Sequence, residues 1–143
     1  LSKRTIFRML ALRLALVKAT SCGMIKPMTA KEYLKNKKVL VMGLGLLGGG
    51  VATAKWLVKH EAKVTVTDLK MRKELADSIA ALGQSARKIK FVLGRHRKSD
   101  FKSNGIIVVN PAVPRESPYL KIAKNKTIKE NHKIEFIKTS SDK

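Results

Sequence analysis

A small parallel β-sheet flanked by helices, an α/β fold in one domain, is what this 143-residue sequence predicts, and three observations carry that prediction. The short apolar run Val39–Met42 meets the glycine-spaced segment Gly43–Leu44–Gly45–Leu46–Leu47–Gly48, and a helix-period stretch follows at once. Short β-branched runs then alternate with helical patterns, the order that builds parallel strands joined by crossover helices. Finally, Gly105–Ile106–Ile107–Val108–Val109 is continuously apolar, as a strand covered on both faces must be. The fold class is therefore Rossmann-like.

Residues 1–31 stand apart from this pattern. They hold Lys3, Arg4, Arg8, Arg13, Lys18, Lys26 and Lys31 and no acidic residue. Ile6–Val17 has the look of a basic targeting or membrane-surface helix, but Arg13 interrupts its apolar face. A basic extension outside the fold fits better, with Gly23 and Pro27 at the break. The folded domain is placed at 32–130 and a polar tail at 131–143, where Ile134–Ile137 allows a short strand.

Within the domain, Thr29–Ala30–Lys31–Glu32 has capping-box spacing and predicts a helix to Leu34 or Lys35. After the first strand, a helix is expected from Leu46 or Leu47 to His60, with Leu47, Val51, Ala54 and Val58 on one apolar face. A second strand, Lys63–Thr67, ends at Asp68. Lys73–Leu82 reads as a helix closed by Gly83, with Leu75, Ile79 and Leu82 turned inward. Ile89–Leu93 is the third strand, followed by a solvated basic loop, Gly94–Arg95–His96–Arg97–Lys98. The apolar strand to Val109 stops at Asn110–Pro111–Ala112–Val113–Pro114, where two prolines deny helix and ladder alike. Ser117–Pro118 begins a further helix through Ala123.

The chemistry gathers where the strands end. Gly43 permits a tight turn, Gly45 lets backbone approach a bound diphosphate, and Gly48 lets the helix pack closely on the strand. The first amides of that helix lack partners, and its dipole adds positive charge, so an anion is favoured there. Gly48–Gly49–Gly50 weakens the first turn by roughly 1 kcal/mol per extra glycine, which is easier to understand if a ligand lies against the backbone. Asp68 stands 20 residues beyond Gly48, where such folds place an acid for a ribose hydroxyl; a turn or cap aspartate is the equal alternative. Asn110 falls on the same edge. Together these residues point to a nucleotide diphosphate, without deciding between a nicotinamide cofactor and a nucleotide sugar.

Composition narrows the remaining classes. The chain carries 31 Lys and Arg against 10 Asp and Glu, a net charge of +21. The surplus is spread along the sequence, and aromatics are only 5%, so there is no stacking platform for bases and no specific nucleic-acid partner is expected. No apolar stretch approaches the ~20 residues of a membrane span. The single cysteine, Cys22, suits a reducing compartment. His60, His96 and His132 are widely separated and read as surface residues, so no metal site is expected. No paired carboxylates and no nucleophile–base arrangement are present, so no catalytic residue is assigned.

Lys37–Gly48, Ala54–Lys55–Trp56–Leu57, Val64–Asp68 and Asn110–Pro114, in that order, resemble the amino-terminal domain of the Mur ligases, most closely the D-glutamate-adding branch. The likeness runs from about Lys35 to Ala123. It implies that this domain holds the UDP end of UDP-N-acetylmuramoyl-L-alanine. Gly43, Leu44, Gly45, Leu46, Leu47 and Gly48 would cradle the diphosphate, Asp68, Leu69 and Lys70 would lie around the uracil, and Asn110, Pro111 and Ala112 would form the loop beside the uridine. Asn110 and Ala112 depart from the family's Ser-Pro-Gly-like pattern, so the Asn110 amide would stand in for a serine hydroxyl. The family uses ATP and magnesium through a central domain with a lysine-bearing phosphate loop, and no such motif occurs in these residues. The resemblance therefore implies the nucleotide-sugar-binding part of a ligase, truncated or split, inactive in ligation alone and needing the missing domains in trans. A small NAD(P)-binding oxidoreductase module and a basic protein for anionic surfaces or nucleic acid are the alternatives.

Overall fold

Thr29 and Glu32 close the capping box that their spacing predicts. The Thr29 amide donates to Glu32 Oε2 at 2.8 Å, and the Glu32 amide donates to Thr29 Oγ1 at 3.2 Å. Helix α1 (Ala30–Leu34) follows and buries Ala30 and Leu34. The computed structural model describes residues 28–46, 48–114, 116–130 and 135–138. Residues 1–27 of the basic extension, Cys22 among them, lie outside the described residues, as do Leu47 and His132.

Strand β1 (Lys38–Met42) leads through the glycine segment into α2 (Gly49–Lys59), and β2 (Lys63–Asp68) returns beside β1. Helix α3 (Ala76–Ala81) and a 3-10 turn (Gly83–Lys88) connect to β3 (Ile89–Leu93). Helix α4 (Lys98–Ser103), β4 (Ile106–Val109), α5 (Pro118–Glu130) and β5 (Glu135–Lys138) complete the described chain. All strands are parallel, in the order β3-β2-β1-β4-β5. This is the Rossmann-like arrangement predicted, and the chain reverses direction across the sheet at β1. Strand β5 runs beside β4 within the stretch read as a tail, at the place where the sequence allows a strand.

Alternation along the strands sorts two cores. Val39, Val41, Val64, Val66, Ile106 and Val108 face one way and pack with Val51, Ala54 and Leu57 of α2 and with Leu75 and Leu82 at the ends of α3. Leu40, Met42, Ile107 and Val109 face the other way, against Phe101 of α4 and Leu120 and Ala123 of α5. Strands β1 and β4 are therefore buried on both faces, which is why they read as unbroken apolar runs. Each fully buried aliphatic side chain stabilises by about 1.5–3 kcal/mol, so the two layers together hold the sheet.

Three helix boundaries differ from expectation, the last being α5, which runs to Glu130 and not only through Ala123. Helix α2 begins at Gly49 because Gly48 adopts a left-handed conformation (φ 83°) and serves as its N-cap. Helix α3 is shorter than Lys73–Leu82: a turn holds Met71 to Leu75, with the Met71 amide donating to Glu74 Oε2 at 2.7 Å. Gly83 is left-handed (φ 56°), consistent with the stop it was expected to provide. Among the described residues no helix is long and apolar enough to cross a membrane.

At the opposite end of the sheet, Lys38 and Lys63 are register partners on adjacent strands and both are exposed. Their side chains leave the same face with strands about 4.8 Å apart, so like charges are held side by side. Lys63→Glu should raise stability by roughly 0.2–1 kcal/mol at low salt, with the gain shrinking at high salt. Thermal melting checks this; an unchanged or lower melting temperature at low salt would contradict it.

Candidate functional site

The register of the sheet fixes the site. Met42 is level with Thr67 on one side and with Val109 on the other. The next residues, Gly43, Asp68 and Asn110, therefore leave their strands side by side at the carboxyl edge. The ladder continues one step further, since the Gly43 amide donates to the Thr67 carbonyl at 2.8 Å and the Asn110 amide to the Met42 carbonyl at 3.0 Å. This edge, where β2 and β4 diverge from β1, is where open α/β sheets form their ligand crevice.

Side chains from three elements then hold the glycine turn. Asp68 is buried, and its Oδ2 accepts from the Leu44 amide at 2.9 Å and the Gly45 amide at 3.2 Å. Its Oδ1 accepts from the Lys70 amide at 3.0 Å. Ser78 on α3, also buried, donates to the Gly45 carbonyl at 2.8 Å. Asn110 donates through Nδ2 to the Gly43 carbonyl at 3.4 Å and accepts through Oδ1 from the Ala112 amide at 3.0 Å. The Asn110 side chain thus staples its own loop to the glycine turn.

The glycines divide their work differently from expectation. Gly43 (φ 90°) would set a Cβ 2.9 Å from Asn110 Cβ, so both its conformation and its neighbour require glycine. Close helix–strand packing falls to Gly50, not to Gly48. A Cβ on Gly48 would meet nothing within 4 Å, whereas one on Gly50 would collide with the Leu44 carbonyl and lie 2.7 Å from the Gly43 oxygen. Gly48 is needed for its left-handed φ, which turns the chain into α2 and displaces the contact two residues onward. No side chain caps α2, so the amides of its first turn are left for solvent or a ligand.

The remaining described candidates are mostly at the surface. Leu46 and Leu69 are exposed, as are Lys70, Pro111 and Ala112. Leu44 differs: its side chain is fully buried in the α2 core, leaving only its backbone near the turn.

Ser78 gave no sequence signal, being one small polar residue in a helical pattern. His96, expected at the surface, is half-buried. Its Nδ1 lies 2.7 Å from Thr67 Oγ1, and its ring meets Phe101 and Tyr119 edge-on at 5.9 and 5.1 Å. The basic loop is likewise not uniformly solvated. Arg97 pairs with Asp100, Nε to Oδ2 at 3.0 Å and Nη2 to Oδ1 at 3.3 Å. Burial pushes the His96 imidazole below its ordinary range, and the nearby Asp68 carboxylate opposes this only in part. Among the described residues no group of three or more His, Cys, Asp or Glu side chains comes together as a metal site.

With this geometry in place, the comparisons with known proteins are decisive for family. The model of the N-terminal domain of MurD-like Mur ligases matches residues 37–130. The chain belongs to the MurD-like Mur ligase family. A UDP-N-acetylmuramoylalanine–D-glutamate ligase of Borreliella afzelii is 52% identical over 93 residues, covering 65% of this chain and 21% of that protein. The ligase of the same name from Roseiflexus sp. is 50% identical over 91 residues, 64% of this chain and 19% of its own length. Among solved structures, a pseudomurein peptide ligase type C from Methanothermus fervidus superposes with a TM-score of 0.53 at 28% identity, over 72% of this chain and 19% of that one. The chain thus spans about a fifth of the length of the curated relatives it matches.

Two outcomes follow from the site geometry. Gly50→Ala should destabilise by roughly 1–3 kcal/mol, because backbone oxygens must move, whereas Gly49→Ala meets open space and should gain up to about 1 kcal/mol. Chemical denaturation of the two variants checks this; equal effects would contradict the packing role of Gly50. For His96, the unfolded chain takes up its proton first as pH falls below about 6.5, so stability present at neutral pH is lost between there and the lowered folded value. The melting temperature should fall over that window in the wild type and fall less in His96→Gln; parallel profiles would contradict it.

Proposed function

We propose that this domain binds the uridine diphosphate end of UDP-N-acetylmuramoyl-L-alanine and serves as the nucleotide-sugar-binding part of a D-glutamate-adding ligase of cytoplasmic peptidoglycan synthesis. The observation that carries this reading is the braced glycine turn at the carboxyl edge, flanked by the uncapped start of α2. Membership of the MurD-like family supports the choice of a nucleotide sugar over a nicotinamide cofactor.

In this reading the anion is held by backbone amides at the Gly48–Gly49 start of α2, where the helix dipole adds its positive end. Leu46 and Leu69 offer apolar surface for the nucleoside, and Lys70 a positive charge. Asn110, Pro111 and Ala112 wall the opposite side. The chain's own role is to bind and orient. The reading gives this domain no part in handling ATP or magnesium.

Calorimetric titration with UDP-N-acetylmuramoyl-L-alanine, UDP and NAD tests the reading. The two uridine compounds should bind and NAD should bind more weakly. NAD binding tighter than UDP would instead support a dinucleotide-binding oxidoreductase module, and affinity for any polyanion that collapses with salt would support a basic surface binder. Leu46 is 59% exposed, so Leu46→Asp places a negative charge beside the diphosphate without disturbing the core. It should weaken UDP binding about fivefold or more, as a repulsion of about 1 kcal/mol or above would give. Unaltered UDP affinity in Leu46→Asp would overturn the placement of the anion.

A further inference from the structure

An acid at the end of the second strand of this fold class is expected to accept hydrogen bonds from a ribose. Here the carboxylate already has other duties. Its Oδ2 holds two consecutive amides, those of Leu44 and Gly45, and its Oδ1 holds the Lys70 amide. Bonds from backbone N–H groups to an ionised acceptor are about twice as strong as neutral ones. Oδ2 is filled by these two amides, so Asp68 can meet a ligand only through Oδ1 while it keeps its hold on the turn; releasing the turn would leave the amide of the buried Leu44 without an acceptor.

We infer that Asp68 is a positioning residue of the diphosphate site, acting through the glycine turn. This inference rests on the UDP-binding reading above. By occupying the Leu44 and Gly45 amides, the carboxylate removes them from the set that can hold a phosphate and moves the anion site onward to the Gly48–Gly49 start of α2. It also fixes the Leu44–Gly45 step from one side while Ser78 fixes the Gly45 carbonyl from the other at 2.8 Å. The turn is then already ordered when the diphosphate arrives, so less entropy is lost on binding.

Positioning and sugar contact differ in which ligands they affect. A ribose contact serves uridine and UDP alike, whereas a turn held for the diphosphate serves UDP alone. NMR titration of the wild type, Asp68→Asn and Ser78→Ala with UDP and with uridine separates them. Asp68→Asn should lose about tenfold in UDP affinity with uridine affinity unchanged, and in the free protein the Leu44 and Gly45 amide signals should shift and exchange faster. Ser78→Ala should show the same ligand pattern with a smaller loss, and it decides the matter if Asp68→Asn does not fold. Equal losses for uridine and UDP, or UDP binding unchanged in both variants, would overturn the inference. A wild-type chain that binds no UDP would overturn the UDP reading and the inference with it.

Discussion

Three strand ends held level are the constraint on which the rest of the molecule depends. Because Met42 pairs with both Thr67 and Val109, the residues that follow cannot avoid one another. Gly43 must be small where Asn110 stands, Asp68 must find donors where Leu44 and Gly45 turn, and Asn110 must bridge to Gly43. Parallel pairing buried on both faces makes this register hard to shift, since a one-residue slip would move every core side chain to the wrong layer. The candidate site is therefore a consequence of the core, not an addition to it.

The polar network at this edge is closed around one acid. A buried carboxylate is tolerated only when its oxygens are bonded, and here the donors are backbone amides that the glycine turn leaves over. The same turn needs its carbonyls satisfied, which Ser78 and Asn110 do from opposite sides. His96 joins the edge through Thr67 and the aromatic pair Phe101 and Tyr119, tying the loop after β3 to α4 and α5. Not all of the positive charge lies at this edge: Lys38 and Lys63 sit at the far ends of their strands.

Most of the fold was legible because local signals and tertiary structure agree. The Thr29–Glu32 box, the strands at Val39, Lys63, Ile89 and Ile106, and the inward turn of Leu75 and Leu82 all follow from spacing and periodicity. Other features were not legible for physical reasons. Helix α4 is six residues long and owes its place to the burial of Phe101, which no local pattern announces. Gly50 lies within a glycine run in which only three-dimensional packing shows which member touches backbone. Asp68 could be placed at the site from its spacing, yet spacing could not tell whether it would face a ligand or its own chain. His96 gave no sign of burial because its partners, Thr67 and Tyr119, are far away in sequence.

A crystal structure of this chain with UDP-N-acetylmuramoyl-L-alanine tests the account most directly. The account predicts phosphate oxygens within hydrogen-bonding distance of the amides at the Gly48–Gly49 start of α2, with the Asp68 carboxylate still on the Leu44 and Gly45 amides. Phosphates bound away from the start of α2, or an Asp68 carboxylate that has left the turn to hold the ribose, would contradict it.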